Sequence, residues 1–296
     1  MGKIYNELGL DMKQELDIIF KYYKKLRDDY NSGEFVDKTY EQDEACNYNT
    51  IMDKLFYFII DLRGYNKVPL VVSDEEFEKD LRENTRKTVY HGFEEFSYGA
   101  NFLWDFYYHY GDGGYGAGFY TTRDSMEALS YTANKDRADE NKVLKMIINS
   151  KNGVNIAEIE ALARNLTYNM NAEYNRDLVV GEDVYNGEMN LSDSEAEEFI
   201  QREKTRREMF KALCEYIREH FPSASENDYL TYGLFSNASI LCAYLGFDYA
   251  TRVGRDSEHF LVFNRGVVET SESEFKRFVS NAGEKYKNAE YLNGER

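Results

Sequence analysis

Hydrophobic residues recur every three or four positions in several stretches of this chain, the spacing that places them on one face of an α-helix. Two such stretches near the start predict a helical N-terminal subdomain over 1–67. Others in the second half predict a helical insertion over about 156–235. The helical stretches are 12–30, 49–62, 156–166, 193–220, 237–245 and 271–286.

Short runs rich in β-branched and aromatic residues lie between the helical stretches and predict strands. Ser73 and Glu76 form a capping box that predicts the start of a helix, and another helix is predicted to start at Ser125. Residues 107–120 contain five glycines, a density that predicts a loop rather than a helix or strand. The polar stretch 176–192 predicts an exposed connection. The predicted strands are 88–90, 142–148 and 259–264.

Acidic residues outnumber basic residues in this chain. Its 296 residues include 54 Asp or Glu and 36 Lys or Arg, which gives a formal charge of −18. Affinity for nucleic acid comes largely from basic residues that displace counterions, so bulk binding of DNA or RNA is disfavoured. An apolar content of 42% with 30% charged residues indicates a folded chain of one large or two modest domains.

The cysteines and histidines indicate structural roles rather than a metal site. Cys46, Cys214 and Cys242 include no CxxC pair, and the last two lie in apolar helical stretches, which predicts free thiols in a reducing compartment. The four histidines form no HxH, HxxxH or Cys/His cluster, so no metal site is predicted. Without an apolar leader or an 18-residue apolar run, we expect a cytoplasmic protein with no membrane segment.

Three segments carry candidate chemistry. Tyr90-His91-Gly92 ends a predicted strand, where an imidazole beside a glycine can meet a ligand in a cleft. Residues 114–122 combine small residues with tyrosines and suit a flat ligand. Residues 257–266 bring an acidic group to a buried strand, where it can stabilise positive charge. Each alone also fits a structural role, and neither the Walker A nor the Rossmann glycine pattern is present.

Together the three segments resemble the ADP-ribosyltransferase fold, in which a split β-sheet forms a cleft for NAD. Tyr90-His91-Gly92 is similar to the first-strand His-Gly of the diphtheria-toxin and poly(ADP-ribose) polymerase branch, and Gly118-Phe119-Tyr120 is similar to its Gly-Ile-Tyr. Tyr131 follows Tyr120 by eleven residues, the separation of the two nicotinamide-stacking tyrosines in that branch. Ala128 replaces a hydroxyl residue of that branch, with Ser130 nearby.

A second resemblance, to bacterial and phage-encoded ADP-ribosyltransferases, covers about 68–270. The first-strand position in that group is usually Arg followed by Gly, so His91 departs towards the His-Tyr type, whereas Thr121 and Thr122 keep the Ser/Thr character after the glycine motif. The resemblance implies an α+β fold whose split antiparallel β-sheet binds NAD. This domain would span 68–296, with the N-terminal helices and the helical insertion added to it.

The resemblance also implies roles for the site residues. NAD would be the co-substrate, with its nicotinamide ring between Tyr120 and Tyr131. The Gly92 backbone would hold the carboxamide, and His91 would bind a ribose hydroxyl. The catalytic set would be His91, Tyr120 and a carboxylate that stabilises the positive ribose formed as nicotinamide leaves. The remaining NAD-binding residues would be Gly118, Thr121 and Thr122.

The implied activity is mono-ADP-ribosylation of a macromolecular acceptor, a protein, with release of nicotinamide. We assign the carboxylate to Glu258, although the family's last motif places that position at His259. Successive strand residues point to opposite faces, so this single residue decides whether an acid enters the cleft. A bulge before the strand would turn Glu258 inward. Alternatively the position has no acid, or Glu226 or Asp228 supplies one.

Two other functions remain open. A catalytically weak or inactive module of the same fold would bind a protein partner through its helical segments, and a charge of −18 suits a basic partner. The cleft would otherwise hydrolyse NAD outright, as an NAD glycohydrolase toxin. The bacterial and phage resemblance fits a toxin or effector that is delivered or phage-encoded and acts in a host cytoplasm.

Overall fold

Most of the helices and strands expected from the sequence are present in the computed structural model, which describes residues 11–32, 44–65, 67–83, 87–104, 111–113, 116–133, 137–168, 193–220, 237–253 and 258–286. The helices are α1 (Met12–Asn31), α2 (Glu44–Leu62), α3 (Asp74–Glu83), α4 (Phe96–Trp104), α5 (Ser125–Ser130), α6 (Ile156–Tyr168), α7 (Asp193–His220), α8 (Ala238–Tyr244) and α9 (Glu272–Asn281). The strands are β1 (Leu70–Val72), β2 (Thr88–Gly92), β3 (Gly111–Gly113), β4 (Gly116–Thr122), β5 (Val143–Ile148), β6 (Gly153–Asn155), β7 (Tyr249–Val253), β8 (Glu258–Val262) and β9 (Val268–Ser271).

The helices follow the predicted hydrophobic periodicity closely. The two predicted N-terminal helices are present as α1 and α2, and those predicted in the insertion are present as α6 and α7. The helix predicted over 237–245 is present as α8. The hydroxyl of Ser73 accepts a hydrogen bond from Glu76 N at 3.2 Å, which is one of the two bonds of the predicted capping box. The last predicted helix is divided, because α9 ends at Asn281 and a short 3₁₀ turn follows at Glu284–Tyr286. The polar stretch 176–192 lies outside the described residues.

The chain divides into two units. One unit consists of 1–59 with 157–246 and contains helices, and the other consists of 60–156 with 247–296 and contains the nine strands named above. The N-terminal helices therefore fall in the same unit as the helical insertion.

Aromatic and polar contacts join α1 to α7 within the helical unit. The rings of Phe20 and Tyr216 stack with their centroids 4.9 Å apart. Tyr216 Oη donates a hydrogen bond to Asp17 Oδ1 at 2.7 Å. Leu16 and Ile19 on α1 are fully buried, so the hydrophobic stripe predicted for α1 is its packed face.

A buried arginine joins α7 to the end of α8 in the same unit. Arg206 forms an ion pair with Glu203 on its own helix. Its Nε and Nη2 donate hydrogen bonds to the carbonyl oxygens of Leu245 and Gly246 at 3.0 and 3.2 Å. Carbonyl groups at a helix C-terminus lack helical partners, and a cation there satisfies them.

Cys214 and Cys242 are both buried, and neither forms a disulfide, as expected from the sequence. Burial raises the pKa of Cys214 to about 11, so this thiol stays protonated near neutral pH. The Cys46 side chain lies outside the described residues.

The sheet follows the order β1-β9-β5-β2-β4-β8-β7-β6, with β3 paired to β4. The inner pairs are antiparallel, as predicted. The prediction is wrong at the two edges, where β1 pairs with β9 and β6 pairs with β7 in parallel. The fold is therefore a mixed α/β arrangement, compatible with the predicted α+β class.

The glycine-rich segment forms strands where the sequence predicts a loop. Gly111 and Gly113 of β3 pair with Gly118 and Gly116 of β4. A Cβ atom on Gly118 would lie 2.3 Å from Leu261 Cδ1, so the neighbouring strand fills the space that a side chain would need. The glycine density thus reflects close packing within the sheet.

Aromatic rings fill the core between the sheet and helices α4 and α9. Phe102 of α4 stacks on Phe119 of β4 with ring centroids 3.8 Å apart, and Phe93 lies in edge contact with Phe278 of α9. Arg265 is 1% exposed, and its Nη1 donates a hydrogen bond to the Phe102 carbonyl at 2.7 Å. This core supports β2 and β4 from one face.

Candidate functional site

The sheet opens between β2 and β4. Among the described residues, only Tyr90 and Thr122 are registered across this pair. Five registered pairs join β2 to β5, and four join β4 to β8. The two central strands therefore separate towards Gly92 and Tyr120 and leave a cleft at that point.

His91 lies at the opening. Its Nδ1 contacts the Tyr120 carbonyl oxygen, and its ring lies 4.4 Å from the ring of Phe93 and 4.5 Å from that of Phe119. Burial lowers the pKa of His91 to about 4, and the contact with the carbonyl opposes this shift only in part. The ring is therefore neutral near pH 7. Since a carbonyl only accepts, the proton is on Nδ1, which leaves Nε2 as an acceptor.

The cleft between the strands, about 410 Å³ of space that is partly open to solvent, gathers most of the predicted site residues. Six of the eight predicted residues line it, and Glu258 and Gly118 do not. Further lining residues come from β2, α5 and β8. The lining consists of Tyr90, His91, Gly92, Tyr120, Thr121, Thr122, Glu127, Ala128, Tyr131 and His259.

Two tyrosines predicted to hold a flat ring border this cleft. Tyr120 Oη donates a hydrogen bond to the Gly116 carbonyl at 2.7 Å, which fixes the phenol along its own strand. Tyr131 follows α5 and is 61% exposed, so its ring is available at the rim. Fixed and exposed aromatic faces together suit a planar ligand.

Position 92 must be a glycine because α5 packs directly against its backbone. A Cβ atom at this position would lie 1.9 Å from the carbonyl oxygen of Ala128 and 3.0 Å from Thr132 Cγ2. The helix and strand can approach this closely only because position 92 has no side chain. The Gly92 backbone also lines the cleft, so packing and ligand access both depend on it.

Position 128, where a hydroxyl is expected, is an alanine. Ala128 lies within α5 and is fully buried. Ser130 Oγ donates a hydrogen bond to the Glu127 carbonyl at 2.6 Å and is thus engaged with its own helix. Thr121 Oγ1 donates to the Phe260 carbonyl at 3.3 Å.

Glu258 lies on the opposite face of the sheet from His259. Thr122 and His259 are partners in the β4–β8 register, and successive residues alternate between faces. Glu258 Oε2 instead forms an ion pair with Arg123 Nη1 at 3.2 Å. Strand β8 begins at Glu258, and the residues just before it, where a bulge was expected, lie outside the described part of the chain. Glu258 is not among the residues that line the cleft.

The carboxylate that does line the cleft belongs to Glu127. Its Oε1 lies 2.9 Å from His259 Nε2, and its Oε2 accepts a hydrogen bond from Thr122 Oγ1 at 2.6 Å. A carboxylate only accepts hydrogen bonds, so His259 Nε2 bears a proton. Thr122 Oγ1 also accepts a hydrogen bond from Asp124 N at 3.1 Å. Three elements, β4, α5 and β8, thus hold one acidic group.

Sequence reasoning missed Glu127 because its local context has an ordinary explanation. It lies three residues after Asp124, which caps α5 by accepting a hydrogen bond from Met126 N. An acidic residue in a first helical turn is typical of helices in general. Its contact with His259 spans 132 positions in the chain, and no spacing within one element reveals such a pair.

A second, smaller hollow lies beside the cleft. This hollow is partly open to solvent and shares Tyr120 and His259 with the cleft. Arg252, the register partner of His259 on β7, contributes to its lining. The other acids considered from the sequence, Glu226 and Asp228, lie outside the described residues.

Neither a metal centre nor a membrane span is found in the described part of the chain. No group of three or more His, Cys, Asp or Glu side chains there is arranged to hold a metal ion. No described helix is long and apolar enough to cross a membrane.

Comparison with known proteins does not assign the chain to a family. No family model matches it, and no match is found among curated proteins or among solved structures.

Proposed function

We propose that the chain is an NAD-dependent mono-ADP-ribosyltransferase that binds NAD in the cleft between β2 and β4 and releases nicotinamide. The opening of the sheet at this pair carries the proposal. The resemblance of the sequence implies an NAD cleft in a split sheet. The cleft found between these strands is lined by six of the residues which that resemblance selected.

The chemistry of the lining supports a nicotinamide ligand. Tyr120 and Tyr131 offer aromatic faces to a planar ring, and stacking on such faces contributes about 1–3 kcal/mol for a nucleobase. Neutral His91 keeps Nε2 as an acceptor, which suits the hydroxyl of a ribose. The Gly92 backbone offers polar groups without a side chain in the way.

A non-catalytic module of the same fold is the second candidate. The observation that favours it is the occupancy of the expected acid position by His259, while Glu258 pairs with Arg123 on the other face. Such a module would bind NAD, or a protein partner, without breaking the glycosidic bond.

Replacing Tyr131 with alanine tests the binding site without disturbing the fold. Tyr131 is 61% exposed, so its loss removes a stacking face and little packing. We expect Tyr131→Ala to weaken NAD binding by about 1–3 kcal/mol, or roughly 5- to 150-fold in Kd, measured by titration calorimetry. Tyr98→Ala is the matched control, because Tyr98 is also exposed, at 49%, and does not line the cleft.

Product analysis separates the candidate activities. Transfer of label from NAD to an acceptor protein, together with nicotinamide release, supports the transferase. Nicotinamide and free ADP-ribose without transfer indicate a hydrolase. Binding without release indicates the non-catalytic module, and absence of binding contradicts the proposed site altogether.

A further inference from the structure

We infer that Glu127 of α5 supplies the carboxylate that stabilises the reacting ribose, in place of an acid on β8. This inference rests on the proposed function and assigns a catalytic residue within the same cleft. Glu127 was not selected by the resemblance, and its role follows from the contacts that it makes in the folded chain.

The position of Glu127 meets the first requirement, which is access to the cleft. Its side chain lines the cleft beside Tyr131 and His259 and is 26% exposed. Glu258, the competing carboxylate, is absent from that lining and is held by Arg123 at 3.2 Å on the opposite face.

The hydrogen bonds of Glu127 meet the second requirement, which is a fixed orientation. Thr122 Oγ1 donates to one carboxylate oxygen at 2.6 Å, and His259 Nε2 lies 2.9 Å from the other. Electrostatic stabilisation of a transition state is strongest when the charged group is already oriented and needs no rearrangement.

His259 acquires a positioning role from this arrangement. It occupies the strand position where the resemblance implies an acid, and its ring turns to the acid on α5 instead. The carboxylate thereby reaches the same cleft from the neighbouring helix, and His259 and Thr122 act through it.

Every bond, charge and proton in the reaction is accounted for with Glu127 as the one acidic group. The bond between ribose C1′ and the nicotinamide nitrogen breaks, and its electron pair neutralises the pyridinium ring. Positive charge then remains on the ribose, where the Glu127 carboxylate stabilises it. The acceptor nucleophile forms its bond to C1′ and loses a proton, which Glu127 receives and passes to solvent.

Nicotinamide release by the full-length chain tests the assignment. Glu127→Gln keeps the size of the side chain and one acceptor oxygen but removes the charge and replaces the other oxygen with an NH₂ donor. We expect it to lower kcat about 10²–10³-fold with little change in NAD affinity. Glu258→Gln, the same change on the opposite face, should lower the rate less, and Glu75→Gln on the exposed surface of α3 is the neutral control.

A second pair of variants tests the orientation of the carboxylate. Thr122→Val removes the donor to Glu127, whereas Thr122→Ser retains a hydroxyl. We expect kcat to fall further in Thr122→Val than in Thr122→Ser, because only the serine retains a donor to the Glu127 carboxylate.

The outcomes distinguish the assignment from the function. If the wild type releases nicotinamide and Glu127→Gln, folded by circular dichroism, does so equally fast, the assignment is overturned and the function stands. A larger loss in Glu258→Gln than in Glu127→Gln overturns it in the same way. If the wild type neither binds NAD nor releases nicotinamide, the proposed function fails and the assignment fails with it.

Discussion

Gly92 is the residue on which the spacing between α5 and β2 depends most directly. The carbonyl of Ala128 occupies the place where any Cβ atom at position 92 would lie. Glu127 lies on α5 and Tyr131 directly follows it, so the placement of both side chains in the cleft depends on the contact between α5 and Gly92.

Substitution of Gly92 should therefore affect stability and ligand binding together. Gly92→Ala places a methyl group 1.9 Å from a backbone oxygen, and relief requires α5 to move. Overpacking of this kind costs about 1–3 kcal/mol. We expect a lower midpoint of thermal unfolding and weaker NAD binding, measured by circular dichroism and calorimetry. An unchanged midpoint would show that α5 yields freely and that the contact does not set its position.

Individual site residues differ in how far the sequence reveals them. His91, Tyr120 and Tyr131 each lie in a short sequence motif, and the structure brings all three to one cleft. Glu258 is a candidate because it is next to His259 in sequence. Successive strand residues point to opposite faces, so Glu258 lies on the other face of the sheet from His259. Glu127 depends on a contact across 132 positions, which only the folded chain provides.

Two acidic residues, Glu269 of β9 and Asp80 of α3, lie close together away from the cleft. Glu269 of β9 is 3% exposed. Burial, the neighbouring charge of Asp80 and a hydrogen bond with Asp80 raise its pKa to about 7, with Glu76 adding to the shift. Glu269 is thus protonated in the folded chain at pH values where an unfolded chain would have lost that proton.

The pH dependence of stability should report this pair. The pKa of Glu269 rises from 4.5 to about 7 on folding, so the folded state binds more protons between these values. The contribution of Glu269 to the free energy of unfolding therefore falls as pH rises through this window, by at most about 1.4 kcal/mol per pH unit.

Denaturant titrations at several pH values measure this slope. Glu269→Gln should flatten it and should stabilise the folded state relative to wild type at pH 8, whereas Glu75→Gln on the exposed surface should leave the slope unchanged. Equal slopes in wild type and Glu269→Gln would contradict the assignment of the raised pKa to this residue.

Helices were predicted more accurately than strands for a physical reason. The periodicity of a helix such as α1 or α7 is written in a continuous stretch, and its packed face follows directly. Strands β3 and β4 were interpreted as a loop, because glycine usually disfavours regular structure. Gly118 of β4 packs closely against Leu261 of β8, a neighbour that the local sequence does not specify.

The whole chain combines two structural units with a large negative charge. The unit boundaries join the N-terminal helices with the helical insertion, and neither segment alone indicates that grouping. A net charge of −18 repels itself more strongly in the compact state than in the extended chain.

Stability should therefore increase with moderate salt. Raising ionic strength from about 0.01 M to about 0.1 M shortens the Debye length from about 30 Å to about 10 Å and screens this repulsion. We expect the midpoint of thermal unfolding to rise by a few degrees in sodium chloride over this range. Sucrose at matched osmolality serves as an uncharged control. A fall in the midpoint would mean that specific ion pairs, such as Arg123 with Glu258, outweigh the net repulsion.

The contact between His91 and the Tyr120 carbonyl has a consequence for which amino acids position 91 accepts. Where β2 and β4 separate, a side chain replaces the strand as hydrogen-bond donor to that carbonyl. A buried acceptor left without a donor costs about 1–3 kcal/mol. Histidine and arginine, the two residues at this position in the families that the sequence resembles, both carry N–H groups. Where the sheet opens between β2 and β4, position 91 therefore needs a side chain that donates a hydrogen bond, even when no ligand is bound.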